Sequence, residues 1–318
     1  MPIQRTVIGS FPTPPISVPH EEAIRNVVDL QVKYGIDVIS DGEQHGSMVE
    51  YLAQIPGVEL IDRGIRIVKE IRPMDDPDKC WKIEDYKLVR SYLNEKGRAN
   101  AKVKTTLTGP ITLGFFGVHG SLYGGMGPYK NYTDPRLYSD SRKALIPIAQ
   151  RAIELGAYLQ IDEPFLTSMS PENVNEFLNP LLENLPRSAK KEERVSIHVC
   201  GQIGKAHYDE LLNLDVPVLS IAFSEYQERK NLNVISRESL EHHRKKLGVG
   251  FISNAKVEDY QIAFERLKEV SKKAGFENIS FVHPDCGLLL TKPEDVEPIL
   301  RNMQFASAPE RLHVESML

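Results

Sequence analysis

The chain has 318 residues, of which 41% are hydrophobic and 26% charged, and its formal net charge at pH 7 is -5. This composition is typical of a globular protein with a buried core, and the acidic balance argues against nucleic acid or an anionic membrane as main partner. No apolar run approaches the roughly 18 residues of a membrane span, and no signal-peptide pattern is present, so we expect a cytoplasmic protein with reduced cysteines.

The first third of the chain alternates short strands with a helix and one long connection. Hydrophobic periodicity predicts a strand over residues 6–9, an amphipathic helix over 21–34 and a second strand over 36–40. The segment 58–100 is too long for an ordinary loop. Because apolar and charged residues alternate over 65–71, we expect a β-hairpin insertion there, after the second strand.

The remainder of the chain repeats the alternation of strands and helices. Helices are predicted over 134–155 and 294–303, and six more strands over 103–107, 158–161, 195–197, 218–222, 248–252 and 279–282. Alternating strands and helices predict a parallel sheet. Eight strands favour a closed (β/α)₈ TIM barrel over an open doubly wound sheet, and we expect residues 1–318 to form one catalytic barrel domain.

Four polar residues follow predicted strands and have the chemistry of metal ligands: His198, Cys200, Glu225 and Cys286. Two residues apart on an extended backbone, His198 and Cys200 point the same way. Imidazole, thiolate and carboxylate are ligands that zinc accepts. The same residues could equally be a hydrogen-bonded core histidine, small buried cysteines and a surface acid, so residue types alone leave both interpretations open.

Motifs spread over nearly the whole chain carry a resemblance to a known family. They are Ile8-Gly9-Ser10-Phe11-Pro12, Asp41-Gly42-Glu43, Met48-Val49-Glu50-Tyr51, Leu107-Thr108-Gly109-Pro110, Gln160-Ile161-Asp162-Glu163-Pro164, His198-Val199-Cys200, Glu225 and Pro284-Asp285-Cys286-Gly287-Leu288. With them, the chain resembles the catalytic C-terminal barrel of cobalamin-independent methionine synthase. It resembles most closely the short archaeal-type forms that lack the N-terminal barrel.

The resemblance implies a catalytic zinc ion bound by His198, Cys200, Glu225 and Cys286. Zinc lowers the pKa of a bound thiol, so the implied activity is methyl transfer to the sulfur of homocysteine, which yields methionine. Glu225 is the only oxygen donor of the four, and we expect the substrate sulfur to displace it. Cys80 lies outside these motifs and is expected to be structural or exposed.

The resemblance also implies how the amino-acid part of homocysteine is bound. Glu43 and Asp162 are expected to hold the ammonium group. Ser10 and the backbone N–H groups around Ile8 and Gly9 are expected to bind the carboxylate, since glycine permits a close backbone approach. A simple turn at each of these positions is the alternative interpretation from residue types alone.

The chain departs from the long family members on the side of the methyl donor. Ser253 stands at about the place of a His that delivers a proton to the donor, and Phe116 stands near the place of a folate-stacking Trp. A corrinoid donor needs no such proton, so we expect a methyl-corrinoid, either methylcobalamin or a corrinoid protein. Methyltetrahydrofolate as donor, coenzyme M as acceptor, a zinc hydrolase and a non-catalytic binding role are the alternatives.

Overall fold

A parallel sheet forms the centre of the computed structural model, which describes residues 3–62, 64–119, 127–225 and 228–308. The strands are β1 (Gln4–Arg5), β2 (Val38–Ile39), β3 (Val58–Ile61), β4 (Gly64–Ile67), β5 (Lys102–Thr108), β6 (Tyr158–Asp162), β7 (Val195–Val199), β8 (Val218–Ala222), β9 (Lys246–Ile252) and β10 (Ile279–Pro284). All except β3 and β4 belong to one eight-stranded sheet in the order β1-β10-β9-β8-β7-β6-β5-β2, and each pairing within it is parallel.

Helices follow most of these strands along the chain. They are α1 (His20–Lys33), α2 (Trp81–Glu95), α3 (Pro110–His119), α4 (Pro135–Glu154), α5 (Pro171–Glu183), α6 (Arg187–Lys191), α7 (Lys205–Asn213), α8 (Arg237–His242), α9 (Tyr260–Ala274) and α10 (Pro293–Ala306). Within the described ranges, none of the helices combines the length and the apolar character needed to span a membrane.

The two ends of the sheet meet and close it. A parallel bridge joins Thr6, just after β1, to Val38 on β2. The sheet is therefore a TIM barrel, which confirms the predicted fold class. Because all strands run in the same direction, their carboxyl ends lie at one rim, where enzymes with this fold place their catalytic groups.

The insertion after β2 contains the expected hairpin, but it is shorter than the sequence indicated. Strands β3 and β4 pair antiparallel from Val58 opposite Ile67 to Ile61 opposite Gly64. The alternating pattern continued to residue 71, yet β4 ends at Ile67 because the next N–H groups, of Val68 and Lys69, both donate to the carbonyl of Gly57. Helix α2 then packs against β5 and so belongs to the ring of the barrel.

The first strand ends before its predicted limit for a similar reason. Beyond the bridge at Thr6, the carbonyl of Val7 accepts from the ammonium of Lys104 on β5. The carbonyl of Ile8 accepts from the amide of Gln160 on β6, at 2.9 Å. Side chains inside the barrel therefore satisfy these two carbonyls in place of a neighbouring strand, and the chain is free to turn at Gly9 and Ser10.

A buried carboxylate fixes the start of α3 next to the rim. Glu163, directly after β6, accepts hydrogen bonds from the N–H groups of Ile111 at 2.9 Å and Thr112 at 2.8 Å. A side chain at Gly109 would collide with it, since a Cβ there would lie 2.1 Å from Glu163 Oε1. The glycine in the Leu-Thr-Gly-Pro motif is thus required by a structural carboxylate.

Candidate active site

Three side chains with metal-binding chemistry meet at the carboxyl-terminal rim of the barrel. His198 lies near the end of β7, Cys200 follows that strand, and Cys286 follows β10. The distance from His198 Nε2 to Cys200 Sγ is 3.1 Å, and the two sulfur atoms are 2.9 Å apart. This sulfur separation is well beyond the roughly 2.05 Å of a disulfide bond, and both cysteines are free.

The donor set fits a divalent transition metal. The three ligand atoms lie within 4.8 Å of one another, and two thiols with one imidazole are a donor set typical of catalytic zinc with one position left for substrate. A hydrogen bond with Cys286 and burial raise the pKa of the Cys200 thiol well above its usual value. A bound divalent cation would reverse this effect, because it stabilises thiolate over thiol.

Glu225, the fourth predicted ligand, points elsewhere in the structure. Its Oε1 accepts from the hydroxyl of Ser253 at 2.6 Å, and its Oε2 lies 3.5 Å from the ammonium of Lys256. The N–H groups of Phe223 and Ser224 both donate to Asp285, which turns the chain away at the end of β8. The structure therefore brings together three of the four predicted ligands, and the fourth lies toward β9.

A cavity of about 220 Å³ opens onto His198, Cys200 and Cys286, which we call the three-ligand cluster. The residues predicted to hold the amino-acid part of the substrate all line it together with the three clustered ligands: Ile8, Gly9, Ser10, Glu43, Asp162, His198, Cys200 and Cys286. Other lining residues were not predicted: Met48, Pro164, Asn254, Gly287, Leu289 and Leu290. Most of these belong to rim loops, whose approach to the cavity depends on the three-dimensional course of the chain.

The loop after β10 brings Cys286 close to Ser10. The N–H of Leu288 donates to the carbonyl of Ser10 at 2.7 Å. A Cβ on Gly287 would lie 2.2 Å from Ser10 Oγ, so a larger residue there would displace the Ser10 hydroxyl from its present position. The predicted carboxylate-binding residue and the last predicted zinc ligand are thus held side by side.

Two carboxylates line the same cavity, and among the described residues only Glu43 is paired with a lysine. Glu43 Oε1 is 2.9 Å from the ammonium of Lys82, and both side chains are nearly inaccessible to solvent. The hydroxyl of Thr106 donates to the same oxygen at 3.0 Å. Asp162 accepts from the amide of Gln160 at 2.6 Å. Burial and the neighbouring charge of Glu43 raise the pKa of Asp162 to about 8.

The two lysines near this wall were missed by the sequence interpretation. Burial alone would lower the pKa of Lys82, but the carboxylates of Glu43 and Asp41 outweigh it and raise that pKa. For Lys104 burial dominates and lowers the pKa to about 7. Neither lysine belongs to a strand-end motif, because Lys82 lies in the first turn of α2 and Lys104 lies within β5. No sequence pattern therefore predicted the contact of Lys82 with Glu43.

A second, wider cavity of about 410 Å³ shares Ser10, Glu43 and Leu289 with the first. The imidazole rings of His20 and His45 border it and are stacked, with centroids 4.1 Å apart and planes 15° from parallel. Donor atoms of both rings and of Asp85 lie within 4.8 Å of one another. Stacked rings direct their in-plane lone pairs along separate parallel planes, so these residues do not converge on one ion.

The aromatic residue near the expected folate-stacking position is packed against another ring. Phe116 makes an edge-to-face contact with Phe165, with centroids 4.9 Å apart. Ser253, at the place of the expected proton-delivering His, is fully buried. Neither side chain lines the cavity that His198, Cys200 and Cys286 share.

Comparisons with known proteins bear on the family and the fold. A family model described as the cobalamin-independent synthase catalytic domain matches residues 15–308. A methionine synthase of Methanothermobacter marburgensis is 28% identical, with 95% of this chain and 98% of that protein covered. A 5-methyltetrahydropteroyltriglutamate–homocysteine methyltransferase of Synechococcus sp. is 25% identical, with 96% of this chain but 43% of that protein covered.

A solved structure has the same fold over the whole chain. It is a B12-independent methionine synthase from Shewanella sp. W3-18-1 in complex with selenomethionine. The TM-score is 0.74, with 18% sequence identity and with 99% of this chain and 100% of that chain covered. At 18% identity, this similarity supports the fold alone.

The buried ion pair in the cavity wall yields a stability prediction. We expect Lys82→Met to lower the free energy of unfolding by about 3–5 kcal/mol, because it leaves the Glu43 carboxylate buried without its partner. Lys87→Met, on the same helix, is the matched control: its partner Asp78 is 38% exposed, and such surface pairs contribute at most about 1 kcal/mol. Urea unfolding measures both, and equal losses would contradict the prediction.

Proposed function

The chain belongs to the cobalamin-independent synthase family, and from this we propose that it methylates the sulfur of homocysteine to form methionine. It is a methyltransferase of the methionine synthase type. The observation that carries the proposal is a single cavity lined both by His198, Cys200 and Cys286 and by the buried carboxylates of Glu43 and Asp162. An amino-acid thiol carries a sulfur and an ammonium group, which these two sets of side chains complement.

We propose that zinc is the resident metal and that His198, Cys200 and Cys286 would hold it. When bound, zinc supplies the acidity that keeps a coordinated substrate thiol in its thiolate form at neutral pH. The protein's contribution is a set of three donors with one place left for the substrate sulfur. Glu225 remains a predicted fourth ligand, and that role requires its carboxylate to leave Ser253 and Lys256.

Of the two carboxylates, we propose that Asp162 makes the main contact with the substrate ammonium. Glu43 Oε1 already accepts hydrogen bonds from the ammonium of Lys82 and from the hydroxyl of Thr106. Among the described residues, only the amide of Gln160 donates a hydrogen bond to the Asp162 carboxylate, which is buried beside the cavity. A substrate ammonium would favour its ionised form, since an opposite charge lowers the pKa of a carboxylate. Coenzyme M, which has no ammonium group, would leave this wall unused.

We propose a methylated tetrahydropteroyl compound as the donor, and the expectation of a methyl-corrinoid is corrected. The family is described as cobalamin-independent, and long relatives are named for 5-methyltetrahydropteroyltriglutamate. The corrinoid expectation rested on Ser253 in place of a His and on Phe116 near the place of a Trp, which is an argument from missing groups alone. We also propose that residues 1–318 act as one catalytic barrel domain. The expected location in the cytoplasm remains a prediction.

The proposed activity is tested by a donor screen. We expect zinc-loaded protein to form methionine from homocysteine and 5-methyltetrahydropteroyltriglutamate, because the cavity combines predicted metal ligands for the thiol with carboxylates for the ammonium group. Mass spectrometry measures the methionine formed. Methylcobalamin replaces the donor in a parallel reaction. Methionine from methylcobalamin alone would overturn the donor and leave the acceptor standing, whereas no methionine from either donor would contradict the activity itself.

The ligand set is tested through metal content. We expect Cys286→Ser to weaken zinc binding at least tenfold, because a hydroxyl is a far poorer zinc ligand than a thiolate. Chelator competition measures the affinity. Cys80→Ala is the control, since Cys80 is also a buried cysteine but packs in the hydrophobic core. Unchanged zinc affinity in Cys286→Ser would remove Cys286 from the ligand set.

Recognition of the ammonium is tested by Asp162→Asn. We expect KM for homocysteine to rise about 10- to 100-fold, because a hydrogen bond to a charged group contributes about 1.5–3 kcal/mol. Asp209→Asn is the control, because this aspartate is about half exposed and is paired with Lys205 on the surface. Steady-state kinetics at saturating donor supply the comparison, and an unchanged KM in Asp162→Asn would show that Asp162 does not hold the amine.

A further inference from the structure

A chain of hydrogen bonds extends from His198 across the inside of the barrel. His198 Nδ1 lies 2.9 Å from Ser220 Oγ on β8, and the same oxygen lies 2.9 Å from His283 Nε2 on β10. His283 Nδ1 in turn lies 2.7 Å from the carbonyl oxygen of Pro284. The three side chains are at most 1% exposed, so water does not compete for these contacts.

The strand between Ser220 and His283 makes this chain possible. In register, β9 places Gly248 beside Ser220 and Gly250 beside His283. A Cβ at Gly248 would lie 2.3 Å from the Phe281 ring, and one at Gly250 would lie 2.9 Å from Ala222 Cα. Because β9 offers no side chain at these two positions, groups on β8 and β10 can reach each other across it.

The acceptor at the end of the chain determines where every proton lies. A carbonyl oxygen can only accept, so His283 Nδ1 must carry hydrogen. His283 is fully buried and has no hydrogen bond to a carboxylate among the described residues, so its ring is neutral and Nε2 is an acceptor. The hydroxyl of Ser220 must donate to that nitrogen. Its oxygen is then left to accept, so the 2.9 Å contact with His198 Nδ1 requires a hydrogen on that nitrogen.

We propose that Ser220 and His283 are positioning residues that hold His198 in the tautomer with hydrogen on Nδ1 and a free lone pair on Nε2. That lone pair faces Cys200 Sγ, 3.1 Å away, on the side where Cys286 also lies. The inference deepens the proposed function and rests on it for the metal. Histidine ligands commonly need such an outer partner to fix both tautomer and ring orientation.

The chain does not transfer protons. It ends on an amide carbonyl, which cannot take up a proton at any pH compatible with a folded protein. His283 stays neutral over the same range, so the arrangement is fixed and is not a pH switch. Its effect is therefore on the affinity and geometry of the metal site and not on a step of proton transfer.

Two substitutions at one position test the proposal. His283→Phe retains a ring of similar shape but removes the acceptor, so the Ser220 hydroxyl is free to donate to His198 Nδ1 and favour the wrong tautomer. We expect its zinc affinity to fall about 10- to 100-fold. His283→Gln retains an oxygen that can accept, and we expect an affinity within about threefold of the unsubstituted protein. Chelator competition measures zinc binding.

A matched control and a second readout separate positioning from folding. His207→Phe replaces a histidine that also contacts a backbone carbonyl, that of Met169, but outside the cavity, and should leave zinc affinity unchanged. In chelator-treated unsubstituted protein, ¹⁵N NMR of labelled histidines reports the His198 tautomer without any metal, with His198→Gln identifying its signals. We expect hydrogen on Nδ1 there, and on Nε2 in His283→Phe.

The outcomes distinguish this proposal from the proposed function. If the unsubstituted protein binds zinc and methylates homocysteine but His283→Phe binds zinc equally well, the positioning role is wrong and the function stands. If the protein binds no zinc, the metal chemistry fails, and the tautomer found by NMR still decides the hydrogen-bond chain. Hydrogen on Nε2 of His198 in the unsubstituted protein would overturn the proposal in either case.

Discussion

A polar group inside a barrel must find its partner there, because the strands and helices keep water away from it. This constraint governs the layer just below the candidate site. Lys104 bonds to Gln160 and to the carbonyl of Val7, and Lys82 pairs with Glu43. Ser220 links two histidines. The groups that would contact the substrate therefore lie above an interior in which most polar atoms already bond to one another.

The same constraint appears at the rim, where buried carboxylates bind the backbone of neighbouring loops. Asp285, after β10, accepts from the N–H groups that follow β8, and Glu163, after β6, accepts from the first N–H groups of α3. Each carboxylate ties the end of one strand to the loop of another. The cavity walls are therefore cross-linked by charge-assisted hydrogen bonds, which keeps the separation of the donor groups small and defined.

Periodicity was enough for the barrel, whereas the predicted site residues also required the family resemblance, and the failures have specific causes. His198 and Cys200 could be paired from sequence because two residues on one strand share a face. Glu225 could not be placed, since the turn that carries it away depends on Asp285, 60 residues later. The contact of Lys82 with Glu43 could not be predicted either, because it depends on how α2 packs beside the barrel. Strand ends differed where side chains replaced ladder bonds, as at Val7.

The hydrogen-bonded line from β7 to β10 has a consequence for how such a chain can change over generations. The side chains at positions 198, 220 and 283 form one fixed series of hydrogen-bond donors and acceptors. This series can cross β9 because Gly248 and Gly250 have no side chain there. Once the hydroxyl is lost, the imidazole at 283 no longer helps the one at 198, and a bulky residue on β9 would separate them. Substitutions that alter the order of donors and acceptors at these positions should therefore occur jointly or not at all, whereas neutral substitutions should accumulate on the outer helices.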